Sequence, residues 1–264
     1  MVATPEQATV RVLGRLRVDR ADGTAVPDGA WPTSATAELV RLLALSPRGT
    51  ARVDHLVGAL WPDVDRPHAL ASLRTTASRA RRVLGGDCVG RHLDAVALVG
   101  VWTDAQAYRD AVRDVRRFCV AGELAQAVTA ARRAEAVYGG APEPRTDVDW
   151  VVQECAWFVQ THGSLLVDVA DAAAFLHWWR DASWFAERAL GVEPCSERAY
   201  RALMRARHGL GENGAALQVY ERCCRVLAEQ VGVVPSPATR ELHRALLAGE
   251  DVEPAPARRH VDAR

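Results

Sequence analysis

A chain of 264 residues with 49% hydrophobic and 25% charged side chains has a globular composition, long enough for one large domain or two ordinary ones. Its 33 basic and 33 acidic residues cancel, so no global basicity announces a nucleic-acid partner, and any electrostatic case must rest on a local cluster. Every basic residue is Arg, whose planar fork suits phosphates and guanine edges. The six cysteines form no C-x-x-C and no zinc-spaced Cys/His cluster, and the vicinal pair Cys223-Cys224 reads as a helix with one thiol inward and one outward. With no signal peptide and no apolar run of about 18 residues, the expectation is a cytoplasmic protein with no membrane, metal or cofactor partner.

Taken in chain order, residues 1–8 carry no pattern and read as disordered. Residues 9–19 (TVRVLGRLRVD) alternate apolar and polar positions at Val10, Val12, Leu16 and Val18, the period of a half-buried strand. Helical spacing follows at 35–45, ended by Pro47 to Gly49, and again at Val53, Leu56, Val57, Leu60 and Trp61, ended by Pro62. A third helix is expected from about Pro67 to Leu84, with Gly85-Gly86 just past its end. Cys88–Val89 and Val96–Val99 then suit a hairpin around GRHLD. Strand, three helices and hairpin make a winged helix-turn-helix.

The third helix is the most informative segment. Leu73, Ala77, Ala80 and Leu84 form its buried stripe, and Thr75, Ser78 and Arg82 lie opposite, with Arg79 beside them and Arg74 and Arg81 flanking. No acidic residue occurs from Arg66 to Gly86. Such a face suits the DNA major groove, where Arg reads guanine or clamps phosphate and Ser and Thr tolerate several bases. Arg91 and His92 are placed at the wing tip. Trp31 and Trp61 read as core or interface rather than base-stacking platforms. The surrounding charge is nearly even, with 13 Arg against 11 acidic residues in 1–104, so the case rests on this one helix.

From Asp104, expected as an N-cap, the pattern is helical, with segments at about 123–137, 148–178, 181–191, 196–208, 213–230 and 237–248. AGELAQAV (121–128) and LGENGAAL (210–217) echo each other, and Ala189-Leu190 precedes Pro194 as in the second helix of a tetratricopeptide unit. The Trp-rich stretch (Trp150, Trp157, Trp178, Trp179, Trp184) is expected to be repeat core, with a concave aromatic ligand pocket as the alternative. His162-Gly163-Ser164 reads as a kink or break in the long helix. The tail 250–264 is expected to be disordered.

Gly209, Gly211 and Gly214 spell G-x-G-x-x-G, and Glu229 follows about twenty positions on. A phosphate-binding fingerprint needs a strand before its first Gly. SERAYRALMRARH is instead helical, so the glycines read as a helix–helix turn, with Gly209 or Gly211 as left-handed cap and Gly214 opening the next helix. No nucleophile, zinc or Walker motif appears, and no enzyme is expected.

VRVLGRLRVDRADG, VDHLVGALWPD and ASLRTTASRARRVLG, in that order, resemble the OmpR-like winged-helix domain of SARP-type (antibiotic regulatory protein) activators. Residues 196–243 resemble the companion bacterial transcriptional activator domain. The expected fold class is therefore mainly α: a winged helix-turn-helix at 9–103, an all-α tetratricopeptide-like repeat domain at 104–249, and the tail. The resemblance implies an activator that binds repeated elements in double-stranded promoter DNA, as a homodimer or side by side on direct repeats. It further implies recruitment of RNA polymerase holoenzyme and control of a secondary-metabolite (antibiotic) gene cluster. It carries the recognition positions to Arg74, Thr75, Ser78, Arg79, Arg81 and Arg82. The chain departs from the family at the wing, where Ala95-Val96-Ala97-Leu98 replaces the usual G-Y-x-L. The alternative is an interaction or ligand-sensing module whose winged helix no longer binds DNA.

Overall fold

The computed structural model describes residues 7–250 and 252, which fall into two compact units. The first takes the described residues up to Asp110 together with Arg133–Phe158; the second takes Ala111–Arg132 and the rest from Val159. Residue 251 and residues 253–264, most of the expected disordered tail, lie outside the described residues, as do residues 1–6.

In the first unit the alternating run 9–19 is not one strand. It forms a hairpin of β1 (Ala8–Arg11) and β2 (Arg17–Asp19), paired antiparallel with Val10 opposite Val18. Gly14 at φ 93° supplies the left-handed residue between the strands, a conformation that breaks an extended run. Ala8, expected in a disordered segment, is buried at the start of β1. Three helices follow: α1 (Ser34–Leu45), α2 (Val53–Leu60) and α3 (Arg66–Leu84). Thr33 caps α1 by accepting from the Thr36 N–H. Leu39, Leu42, Leu43 and Leu45 of α1 are fully buried and form the centre of the core.

The short strand β3 (Thr50–Arg52) precedes α2, and the wing hairpin is β4 (Val89–His92) with β5 (Ala95–Leu98). Strand β6 (Val101–Thr103) returns parallel to β1. Two three-stranded sheets result, in the orders β2-β1-β6 and β3-β5-β4. The three-residue strands β3 and β6 are not readable from periodicity; each exists because a neighbour offers it a ladder.

Helix α4 (Asp104–Ala121) starts directly after β6. Asp104 does not cap it as expected. Its carboxylate reaches back to β1's end, accepting from Val12 N–H at 2.9 and 3.0 Å and from Leu13 N–H at 3.0 Å. The capping contact comes from Thr103, whose hydroxyl accepts from the Gln106 N–H. Burial pushes the Asp104 carboxyl up to about 6, against the N–H donors of Val12, Leu13 and Ala105 and the charge of Arg11.

The remaining helices are α5 (Leu124–Val137), α6 (Asp149–Phe175), α7 (Trp179–Val192), α8 (Glu197–Gly209), α9 (Asn213–Val231) and α10 (Pro237–Ala248). In the second unit three helix–helix turns share one hydrogen-bond pattern, which also closes the end of α10 at Gly249. Gly122 donates to Cys119 and Glu123 to Phe118; His177 to Ala174 and Trp178 to Ala173; Gly211 to His208 and Glu212 to Arg207. This is the six-to-one Schellman closure with a left-handed residue, at φ 76°, 57° and 78° respectively. The sequence echo at 121–128 and 210–217 is thus a shared turn, and the middle copy carries no glycine signal because His177 takes that position.

The expected break at His162–Ser164 is absent: α6 runs through it as one helix, with His162 and Gly163 buried. Trp178 and Trp184 are 41% and 47% exposed rather than repeat core, because the turn and the outer face of α7 carry them outward. Cys223 is buried and Cys224 half-buried, as a helical pair should be. Among the described residues no helix is long and apolar enough to cross a membrane.

Gly209 ends α8 inside the helix, and Gly211 is the left-handed residue. A Cβ on Gly209 would lie 2.4 Å from the ring carbons of Trp179, so this glycine admits an indole rather than a pyrophosphate. Gly209→Ala should cost about 1–3 kcal/mol by overpacking, outweighing the gain in helix propensity of up to about 1 kcal/mol. Urea denaturation will show a net loss, and pairing it with Trp179→Leu will recover most of it if the ring contact is the cause.

Candidate nucleic-acid interface

Helix α3 is held by its apolar stripe. Ala69, Leu73, Thr76, Ala77, Ala80, Val83 and Leu84 are buried, and α3 packs on α1 and α2. The four stripe residues expected from the sequence are among them. Pro67 lies in the first turn, and Gly85 at φ 85° stops the helix.

The outward face is cationic and unspent. Arg74, Thr75 and Arg82 are exposed, and Ser78 and Arg79 half-buried. Arg74–Ser78–Arg82 and Thr75–Arg79 are each spaced four apart and lie on adjacent lines of the helix. Among the described residues, Arg74, Arg79 and Arg82 have no ion-pair or hydrogen-bond partner, so three forks are free for an anion. Thr75 donates its hydroxyl back to the Ala71 carbonyl, which leaves its oxygen lone pairs available as acceptors. Arg82 and Arg81 in the last turn also sit favourably on the helix dipole.

Arg81 is placed differently from its neighbours. It is half-buried and donates through Nε to the Val89 carbonyl at 2.6 Å, tying α3 to the first wing strand. A second tie joins the wing turn to α2, where Val53 N–H donates to the Asp94 carbonyl at 2.7 Å. A third is the β3–β5 ladder. The wing therefore holds its place without the missing Tyr of the G-Y-x-L pattern.

The wing tip is not at Arg91 and His92. Both belong to β4, and the turn is Leu93-Asp94, with Leu93 at φ 49° and 82% exposed. Arg91 is exposed two residues before the tip, opposite Val96, with no partner among the described residues. The His92 side chain lies outside the described residues. Trp31 and Trp61 are half-buried, in keeping with a packing role. Among the described residues no group of His, Cys, Asp and Glu could hold a metal ion. The tie through Arg81 and the free edge at Leu93 were missed because neither a backbone acceptor nor a turn position shows in a charge pattern.

Residues 103–247 match the family model of the bacterial transcriptional activator domain. Two proteins named regulatory protein AfsR are similar. That of Streptomyces griseus is 27% identical over 97% of this chain, and that of Streptomyces coelicolor 30% identical over 89%. The transcriptional regulatory protein EmbR of Mycobacterium tuberculosis is 26% identical over 86% of this chain. The chain spans about a quarter of the length of the AfsR proteins and 60% of EmbR. A solved structure of Mycobacterium tuberculosis EmbR, in complex with a low-affinity phosphopeptide, matches the fold with a TM-score of 0.72 at 21% identity. The match covers 93% of this chain and 66% of that one. With a winged helix ahead of a matched activator domain, the chain belongs to the SARP-type transcriptional activator family.

Proposed function

We propose that this chain is a sequence-specific DNA-binding transcriptional activator whose helix α3 enters the major groove of double-stranded promoter DNA. The observation that carries the reading is the unpaired face of α3: Arg74, Arg79 and Arg82 stand free beside Thr75 and Ser78 on a helix fixed by its buried stripe. Arg91 reaches the backbone from the wing, and Arg81 positions the wing against α3. The activator domain then recruits RNA polymerase holoenzyme at repeated elements, occupied as a homodimer or side by side. The regulated genes form a secondary-metabolite (antibiotic) cluster, and the protein works in the cytoplasm without catalysing a reaction.

Mobility shift on the gene's own upstream region tests it with Arg74→Ala and Arg82→Ala, both exposed and expected to leave thermal unfolding unchanged. If the removed side chain reads a base, the substitution should cost about 1–3 kcal/mol and relax specificity at one position. If it holds a phosphate, binding should weaken for all sequences alike and the salt slope should fall by about one. If both variants bind as the unsubstituted protein does, α3 is not the reading helix. Footprinting with and without polymerase tests recruitment.

A further inference from the structure

The outer face of the β2-β1-β6 sheet carries an arrangement that the DNA reading leaves unused. Arg11 and Arg17 stand directly opposite each other across the antiparallel ladder. Like charges in that position repel on one face of the sheet. Trp102 joins the same face as the partner of Thr9 on β6, and the Arg11 guanidinium lies over its ring at 5.5 Å. The end of α5 and the turn after it form the facing wall, bringing Arg133 and Tyr138.

These residues line a cleft of about 600 Å³ within the first unit. Among the described residues Arg17 and Arg133 have no carboxylate partner, Arg11 acts through its charge on the buried Asp104, and Arg15, also at the cleft, pairs with Asp28. The acid in the lining, Asp104, is buried and committed to the Val12 and Leu13 N–H groups. The cleft thus gathers three guanidinium forks, two of them without any partner among the described residues, and two aromatic walls, with no exposed carboxylate to neutralise them. Gly139 and Leu13 close its end, so near that a Cβ on Gly139 would lie 2.5 Å from the Leu13 carbonyl oxygen.

We propose that this cleft binds a nucleotide carrying two or more phosphates, which Arg11, Arg17 and Arg133 hold while the base packs against Trp102 and Tyr138. Three forks lining one cleft match several phosphate oxygens better than one monoanion. The aromatic walls favour a ring-bearing ligand over bare phosphate, and the size is that of a small-molecule pocket rather than a duplex groove. The site does not depend on DNA binding by α3.

Calorimetric titration of the full chain with ATP, GTP and inorganic pyrophosphate tests it. A nucleotide should bind saturably and at least about tenfold more tightly than pyrophosphate. Arg17→Gln, at an exposed position, should weaken the nucleotide by about tenfold or more with unfolding unchanged. Trp102→Leu should reduce nucleotide binding to the pyrophosphate level, and Arg82→Ala should leave it intact. The proposal is overturned by no binding of either nucleotide at millimolar concentration, by equal binding of pyrophosphate, or by binding indifferent to Arg17→Gln. It also fails if Arg17→Gln weakens a DNA duplex and no nucleotide binds, since the cleft would then be a DNA-backbone contact.

Discussion

Asp104→Ala should cost the fold about 2–4 kcal/mol at neutral pH. The carboxylate accepts from Val12 and Leu13 at the buried end of β1, and alanine leaves both N–H groups without an acceptor. Each orphaned buried donor costs about 1–3 kcal/mol. The same group sets a pH dependence. Folded, the carboxyl takes its proton at about 6, whereas its unperturbed value is 3.8. The folded state therefore binds that proton more tightly, and its ionised form is penalised above about 6. Stability from this group rises as pH falls from 7 through 6 and levels off below about 4, by up to about 3 kcal/mol. Other carboxylates titrate in the same range, so the clean measurement is the difference between the parent and Asp104→Asn in urea denaturation from pH 4 to 7. Parallel curves would show that Asp104 does not titrate in this window.

The second large effect is expected at Arg198. On α8 it donates through Nε and Nη2 to Asp171, at 3.0 and 2.8 Å, and through Nη1 to Asp168 at 2.6 Å. The two acids are three apart on α6, with side chains only 17% and 12% exposed. Burial raises the Asp171 carboxyl even with Arg198 beside it. Arg198→Met removes the cation that bridges two neighbouring carboxylates and leaves Arg205 as the cation that still acts on Asp171, which should cost about 2–4 kcal/mol, discounted because Arg198 itself is 32% exposed. The deficit should shrink as pH falls and Asp171, its carboxyl already raised by burial, takes up a proton. Adding Asp168→Asn and Asp171→Asn should restore most of the stability, because what destabilises is the excess negative charge rather than the missing bridge. A triple variant as unstable as the single one would instead assign the cost to the packing of the Arg198 stem.

The elements were legible where one period governs a long segment. Helices α1, α2, α3 and α8 to α10 fall within a residue or two of the expected bounds because each carries an apolar stripe that faces the core of its own unit. The strands were legible only as a region. An alternating run does not show where Gly14 turns it back, and three-residue strands carry too little pattern to register. The cationic face of α3 was readable because a charge-free stripe and a run of Arg, Ser and Thr share one helix. Arg81 was not separable from them, since its acceptor is a carbonyl eight positions away on the wing. The arginine cleft was invisible for a stronger reason: Arg11, Arg17, Trp102 and Arg133 are spread over more than a hundred residues of chain and meet only in the folded unit.

The absence of any loop between β6 and α4 bears on how this chain can be divided. A fragment stopped at Thr103, where the strand pattern ends, would lose Asp104 and with it the acceptor for the Val12 and Leu13 amides. It would also discard residues 133–158, which belong to the same compact unit. The winged helix is therefore not a detachable cassette that recombination or cloning can lift out by a single cut. Fusions that graft α3 onto another activator should exchange side chains on its outer face and leave the joint at Thr103-Asp104 as it stands.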